Sequence, residues 1–553
     1  MTDDLFEATQ VLVVGAGPVG LALAIELGQR GIGVTIIDQR DRTGPQPRAK
    51  TTNVRSMTHM RRWGIADALR AAAPLSPDYP MTVVFGTTLF GHTLNVFENV
   101  SAGTKRGDPR FPERAQWVPQ YVVEKVLHAR IAQLPSVRFL PATAFERLRQ
   151  SATDVSVTVR DVRTDMTRDV RASYVVGADG ARSMVRGAIG AKMTGEYAMS
   201  HTYSVILRIP EFAAAPPQPP AVMYWLVNPE SPGVFNTIDG RETWGFGVGL
   251  PAGAGDIPDD DMIARVQAAL GRDVKMEILE RDRWAAHRLI ADHYRDGRVF
   301  LAGDACHLHP PYGGYGMNLG IADGVDLGWK LGAVLAGWGG EGLLASYEQE
   351  RRAVHERTIA EAIENYRTLS EHLLKAGLDD ETAEGERIRG EVANEIRARK
   401  SREFNTLGVV LGSRYVNSPI VVADGSDPPA EHHSDFQPSA HPGCLAPHAW
   451  LADGASLYDR LGSGYTLLLL SDSARLAAAE IARAGEAAGV PLQTLDLARE
   501  NLAQLYEAPL ALIRPDQFVA WRGDSVDAAS LIDTVRGAAF TSRPATAPSR
   551  RIP

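Results

Sequence analysis

Apolar residues gather into short unbroken runs at three places in the chain, and each run ends in a glycine- or aspartate-rich turn. The first, "TQVLVVGAGPVGLALAIELGQRGIGVTIIDQR", predicts a buried strand over residues 11–14, a glycine turn, an amphipathic helix to about residue 30 and a second buried strand over 34–37. Continuous Val/Ile runs suit a parallel sheet covered on both faces, so this is a βαβ unit. "SYVVGADGARS" and "GRVFLAGDACH" repeat the strand-then-turn plan, and all three turns fit one sheet. Between them, residues 79–97 and 201–250 carry shorter, alternating, aromatic-rich runs that predict a second, more antiparallel layer inserted into the first. From about 335 to 402 the pattern is charged and helix-periodic, without a strand signal. Residues 424–443, dense in Pro, Ser, Asp and His, predict a linker or surface crossing. A last module of about 100 residues carries "YTLLLL", "PLALIR" and "QFVAWRG" around an alanine-rich helix over 473–488.

Composition narrows the class. A chain of 553 residues holds roughly three or four domain-sized units. No run approaches the roughly 18 apolar residues of a membrane span, and the opening "MTDDLFEATQ" lacks the basic-then-apolar plan of a signal peptide, so a cytoplasmic location is expected. A net charge of −9 opposes a nucleic-acid partner, for which a basic surface supplies most of the affinity, and points to a small-molecule ligand. Cys306 and Cys444 are the only cysteines, which rules out a disulfide framework and suits a reducing compartment.

The first turn has the spacing GxGxxG at Gly15, Gly17 and Gly20, with Pro18 and Val19 between the last two. The first glycine permits the tight turn, the second lets backbone approach a pyrophosphate, and the third lets helix and strand pack closely. The helix N-terminus then faces the phosphates. Asp38 closes the second strand 18 residues past Gly20, where it can accept from an adenosine ribose hydroxyl. This pattern alone leaves NAD and FAD open.

The fingerprint, "GADGARSMVR" (177–186) and "GRVFLAGDACHLHPPYGGYGMNLGIADGVDLGWKL" (297–331) occur in the order found in flavin-dependent aromatic hydroxylases. The chain resembles that class, which includes para-hydroxybenzoate, phenol, dichlorophenol and hydroxyphenylpropionate hydroxylases. The likeness is strong over roughly the first 340 residues and looser beyond. It implies an α/β fold: a Rossmann-type FAD-binding domain (1–78, 112–190 and 296–400, with a helical extension), an inserted mixed-sheet substrate domain (79–111 and 191–295), a linker (401–443), a thioredoxin-like domain (444–540) and a disordered tail (541–553). The last domain resembles the one appended to phenol hydroxylase. It reads "SDSA" (471–474) where thioredoxins carry CxxC, so a structural or dimer-contacting role is expected.

By resemblance, Asp179 serves flavin binding and the nicotinamide encounter, with Arg182 and Arg186 pointing toward phosphates. Gly303 and Asp304 meet the ribityl chain; Gly313, Gly314, Gly316, Met317 and Asn318 lay backbone against the ring system. Arg48 contacts the pyrophosphate, Gln120 touches the ribityl chain, and Pro310 turns its carbonyl toward the flavin edge where oxygen reacts. Lys50 stands where some relatives place an acid or histidine; it is solvated, holds a phenolate or carboxylate, or acts as a base if burial lowers its pKa. On the run "VMYWLVNP", Tyr224 and Trp225 face opposite ways, and Tyr224 is the one expected to line the pocket.

The residues Asp304, Cys306, His307 and His309 crowd one short stretch, yet a strand-to-helix turn does not bring them to one point. No distant His/Glu pair has zincin or deaminase spacing, so no metal is expected. Cys306 reads as a small buried apolar group, and the two histidines as hydrogen-bonded structural ones. The implied enzyme uses NADPH or NADH and molecular oxygen to hydroxylate a phenolic ring through a flavin hydroperoxide, as a homodimer or higher homo-oligomer. Hydroxylation or Baeyer–Villiger oxidation of a polyketide or antibiotic is an alternative, and a flavin-binding protein without turnover is an alternative of another class.

Overall fold

The computed structural model describes residues 8–41, 48–104, 107–368, 370–415 and 417–539. The expected unstructured tail, 541–553, lies outside the described residues. Among them, no helix is long and apolar enough to cross a membrane.

The βαβ unit forms the centre of an eight-stranded sheet. Its strands run in the order Arg295–Asp296, Val299–Leu301, Thr167–Gly177, Ala8–Val14, Val34–Ile37 and Val137–Leu140. The last five of these are parallel. Strands Thr143–Gln150 and Val155–Asp161 form an antiparallel branch onto Thr167–Gly177. Val11 to Val13 are fully buried, as a sheet covered on both faces requires.

The helix after the glycine turn, Pro18–Gly28, departs from the amphipathic expectation: Leu21 to Ile25 have no exposed surface at all. The reason is a second layer. Helix Gly316–Leu335 lies along it, and Gly320, Gly324 and Gly328 place a side-chain-free edge at the crossing. A Cβ at Gly324 would sit 2.9 Å from the Val19 carbonyl oxygen, and one at Gly328 would sit 2.5 Å from Glu26 Cβ. The two backbones therefore pack closer than two ordinary side-chain surfaces permit.

A second eight-stranded sheet is antiparallel except for one pair, Met223–Leu226 beside Val83–Gly86. Its order is His307–Leu308, Glu277–Ala291, Met193–Arg208, Thr243–Leu250, Gly233–Thr237, Met223–Leu226, Val83–Gly86 and Thr93–Phe97. The edge strand His307–Leu308 belongs to the third glycine-turn segment, so the two sheets are stitched together at the turn itself. Helix Asp259–Leu270 covers one face, burying Met262, Val266 and Ala269 against Tyr203, Phe235 and Trp244. Helix Ala383–Phe404 covers part of the other, with Ile396 and Phe404 against Phe85 and Trp225.

The last module is a four-stranded sheet, Leu492–Asp496, Tyr465–Leu469, Leu510–Ile513 and Val519–Gly523, with only the first pair parallel. Helices Arg475–Ala487 and Ala528–Val535 pack on one face, giving the thioredoxin-like arrangement. Trp329, Ala333 and Leu343 from the first domain enter the same apolar cluster, so the module shares its core with that domain.

Candidate active site

Three turns meet at the N-terminus of helix Pro18–Gly28. Gly15, at φ +107°, holds the first turn against the second: a Cβ there would lie 2.3 Å from the Ala178 carbonyl oxygen. The third turn closes on Val19, whose side chain is 2.7 Å from where a Cβ on Gly303 would be. A Cβ at Gly20 would lie 1.9 Å from the Gly15 carbonyl oxygen. Gly17 differs, because a Cβ there would meet nothing within 4 Å. The helix starts with Pro18 and no side chain caps it, so its free N–H groups open onto the bare backbone of Gly17.

Around this cradle the other expected residues fall into two groups. Asp38 stands beside it, accepting from the N–H of Ala16 and of Arg40, both at 2.9 Å. Asp304 opens into the cleft, and no hydrogen bond from the described residues satisfies its carboxylate. The surrounding cleft walls strip its hydration and push its carboxyl upward, opposed by His307 and Arg48. Arg48 itself is exposed. Gln120 begins helix Gln120–Ile131 and donates to Glu124 at 2.8 Å. Gly316 starts the long helix, again without a side-chain cap, and Met317 packs on the core.

Most of the remaining residues bond to protein. Asp179 accepts from Ser183 Oγ at 2.5 Å and from the N–H of Met184 at 2.7 Å, so it caps helix Met184–Ala188. Arg182 is exposed, and Arg186 donates to the carbonyls of Ala181 and Ala305, not toward the cradle as expected. Asn318 clasps three segments: it accepts from the Asn53 N–H at 3.0 Å and donates to the carbonyls of Thr51 and Gly314 at 2.9 and 2.8 Å. Pro310 is buried, and its carbonyl accepts from His309 Nδ1 at 2.7 Å. Burial pushes His309 down to about 4, leaving it neutral, with Nε2 unpartnered.

Lys50 precedes strand Thr51–Thr52, which pairs with Gln116–Trp117 next to the Gly314 turn. Trp117 in turn donates to the Thr237 carbonyl at 3.0 Å, at the end of strand Gly233–Thr237 of the second sheet. Lys50 keeps some open surface but protein surrounds it, and the lost hydration lowers its ammonium to about 8.

Tyr224 lies on the sheet face away from the third turn, where it borders a cavity lined also by Val84, Leu226 and Arg272. It sits in the cluster under helix Asp259–Leu270, with its hydroxyl donating to the Pro219 carbonyl at 2.8 Å and accepting from the Ala221 N–H at 3.1 Å. Trp225 occupies the opposite face, stacked on Phe85 at 5.5 Å and 6.1 Å from Tyr312 of the third turn. The Lys400 ammonium lies 4.1 Å over its ring, paired with Glu403. Alternation was right; which face met the turn depended on pairing with distant strands.

Cys306 and His307 do not meet Asp304 and His309 at one point, but residues distant in sequence join them. With Asp323 and His355 they place four buried potential ligand atoms within 4.8 Å of one another. The chemistry there is that of a hydrogen-bonded hub: Asp323 accepts from Arg351 Nε at 2.7 Å, His355 Nε2 at 2.9 Å, the Gly303 N–H at 2.9 Å and His307 Nε2 at 3.1 Å. Burial raises its carboxyl, but His355 and Arg351 outweigh that and hold it well below the usual range. The guanidinium supplies the positive charge that a cation would otherwise bring, and the imidazole N–H groups point at the carboxylate.

Open space at Gly17, an uncapped helix end and an unsatisfied carboxylate beyond it fit an extended anionic dinucleotide. Residues 8–362 match the FAD-binding domain family and residues 439–540 the C-terminal domain of aromatic-ring hydroxylases. The chain belongs to the FAD-dependent aromatic-ring hydroxylases. Aklavinone 12-hydroxylase RdmE of Streptomyces purpurascens is 31 % identical, covering 95 % of this chain and 97 % of its own. The 2,4-dichlorophenol 6-monooxygenase of Delftia acidovorans is 30 % identical, covering 93 % and 94 %. The structure of the rebeccamycin biosynthetic enzyme RebC with reduced flavin aligns with a TM-score of 0.88 at 35 % identity, over 96 % of this chain and 99 % of that one. This hydroxylase is therefore an FAD-dependent monooxygenase. Its FAD, with NADPH or NADH as co-substrate, supplies the activation of oxygen when bound.

Proposed function

We propose that this hydroxylase acts on a phenolic ring within a broad, planar, polycyclic substrate. The observation that carries the proposal is the strand Thr243–Leu250, "TWGFGVGL". Its large residues Trp244, Phe246 and Val248 pack under helix Asp259–Leu270, so Gly245, Gly247 and Gly249 occupy the opposite face, the one that holds Trp225 and Tyr312. Ser204 and Thr202 stand opposite Gly247 and Gly249 on the neighbouring strand, and Asn236 opposite Gly245. Asn236 fills the space over Gly245, its Oδ1 2.8 Å from where a Cβ would be, so the floor drops to bare backbone at Gly247 and at the exposed Gly249, a gap that suits a flat ring system lying across it. The relatives named for aklavinone and for dichlorophenol bracket the two sizes.

In the same proposal, Gly15, Gly17, Pro18, Val19 and Gly20 hold the pyrophosphate, Asp38 the ribose, and Arg48 the phosphates. Gln120 and Asp304 accept or donate along the ribityl chain, with Gly303 shaping the turn. Gly316, Met317 and Asn318 present backbone and helix dipole to the ring system, where a helix N-terminus favours negative charge. Asp179 shapes the second turn, and Pro310 closes the cleft beside it. Lys50, with its ammonium at about 8, holds the phenolate form of the substrate, which is the electron-rich form that an electrophilic oxygen attacks. The domain limits set out above, a homo-oligomeric state and a cytoplasmic location belong to this reading. Three separate main sheets support the division, although strand His307–Leu308 joins the second sheet and helix Ala383–Phe404 runs past the limit at 400, and two buried free cysteines suit the location.

The test is coupled turnover. Anthracyclinone-like tetracycles and naphthols should stimulate NAD(P)H oxidation and gain one oxygen by mass, with little hydrogen peroxide. Coupling confined to single-ring phenols would overturn the proposed substrate class. Purified enzyme that binds all of these and hydroxylates none would overturn the assignment to aromatic rings altogether.

A further inference from the structure

The turn Arg514–Gln517 in the C-terminal module carries charge into a place where nothing in the cofactor chemistry calls for it. Arg514 has essentially no exposed surface, yet it donates to Glu350 Oε1 at 2.6 Å, to Glu350 Oε2 at 3.0 Å and to Asp326 Oδ1 at 3.1 Å, all on helices of the FAD domain. Asp516 braces it from the same turn at 2.7 and 3.0 Å. Lys330 closes the cluster, reaching Asp326 at 2.8 Å and Glu350 at 2.6 Å. With Arg55 and Arg351 the set has four basic side chains beside four acidic ones, Asp323, Asp326, Glu350 and Asp516.

Two routes lead from this cluster to the cofactor cradle. Arg351 follows Glu350 on the same helix and binds Asp323, which in turn accepts from the Gly303 N–H of the turn that presents Asp304. On the other side, Arg55 donates to the Asp516 carbonyl at 2.5 Å and to Gln517 Oε1. Arg55 stands two residues after Asn53, whose N–H is held in the Asn318 clasp together with Thr51 and Gly314. Both turns that face the flavin are thus joined, through buried hydrogen bonds and one short backbone step on each route, to one turn of a module that has no redox dithiol.

We infer that Arg514, Asp516 and Gln517 are positioning residues for the flavin site, acting through Glu350–Arg351–Asp323 on the Gly303–Asp304 turn and through Arg55 on the Asn318 clasp. The module is then a working part of the cofactor site, and its sheet serves to hold one charged turn in place. The inference rests on the assignment of the Gly303–Asp304 turn to FAD.

The test compares full-length Arg514→Gln with Leu468→Ala, which empties a buried position in the module's other apolar cluster, one that contains no member of the ion cluster. FAD affinity is measured by quenching of flavin fluorescence, the bound flavin's visible absorption band is recorded, and apo-protein melting is followed by circular dichroism. Arg514→Gln should weaken FAD by about two- to thirty-fold and shift the band, the range that coupling through a packed network spans. Leu468→Ala should lower melting comparably while leaving affinity and band as in the wild type. Equal loss of affinity in both variants, or in neither, overturns the inference. If Arg514→Gln does not fold, Gln517→Ala, which removes only a neutral acceptor, should still weaken FAD; wild-type affinity there overturns it as well. Asp304→Ala is measured alongside: unchanged affinity in that variant defeats the Asp304 assignment, whereas impairment there with Arg514→Gln unaffected defeats the coupling alone.

Discussion

Replacing Gly17 by alanine separates binding from folding more cleanly than any other change in the fingerprint. Gly17 has φ −75° and ψ −178°, extended backbone that alanine adopts freely, and its added methyl would meet nothing within 4 Å. The apo protein should therefore keep its fold, and restricting the unfolded chain should stabilise it by about 0.4–1 kcal/mol. When FAD binds, the same methyl occupies the space the pyrophosphate needs. Forcing one such group into a closely packed contact costs about 1–3 kcal/mol, which is roughly 5- to 150-fold in Kd. Gly20→Ala is the contrast: its Cβ would lie 1.9 Å from the Gly15 carbonyl oxygen, so strand and helix must separate with or without cofactor. The assay is FAD titration of deflavinated protein by fluorescence quenching, beside thermal melting of the same apo samples. Gly17→Ala with wild-type FAD affinity would refute the placement of the pyrophosphate, and a large loss of apo stability would refute the claim that this space is open.

Lys50 titrates near 8 in the fold and near 10.4 in an unfolded chain. Through that window the unfolded state binds the extra proton, so Lys50 makes the fold more stable as pH rises. Substrate affinity should move the opposite way: KM rises above pH 8 as the ammonium is lost, and Lys50→Arg, charged throughout, should flatten the curve; an unchanged curve would take Lys50 out of the pocket. Tyr224→Phe should lower stability by about 1–3 kcal/mol through its two lost partners, while kcat/KM stays within about two-fold of the wild type, since the ring lies on the face away from the third turn. Both cysteines are buried, with the Cys444 thiol pushed up to about 11 and that of Cys306 further still, so a thiol-specific disulfide reagent should label neither in the folded enzyme and both in denaturant. Asp323 has its oxygens taken up by four donors, so dialysis against a chelator should leave melting unchanged.

What could be read in advance divides by the range over which the physics acts. The three turns were legible because a residue at a tight or bare position must lack a side chain, and glycine declares that locally. Parity on the run around Tyr224 was legible too, yet its sense was not: it depends on Met223–Leu226 pairing in parallel with Val83–Gly86, some 140 residues earlier. The fingerprint helix misled because amphipathicity presumes a solvent side, whereas the close crossing with Gly316–Leu335 removes one. A cue existed in the spacing of Gly320, Gly324 and Gly328, three glycines each one turn apart on a single edge. The ion cluster lay furthest out of reach. Asp323, Asp326 and Lys330 interrupt an otherwise apolar helix, and isolated charges there demand partners, since a buried unpaired ion costs several kcal/mol, about as much as a domain's whole margin of stability. The pattern says that compensation exists but not where, and here part of it comes from Arg514, nearly 190 residues away. Charged positions that break an apolar helix are thus best treated as unmatched halves of long-range contacts, and a module appended without catalytic residues is a reasonable place to seek the other half.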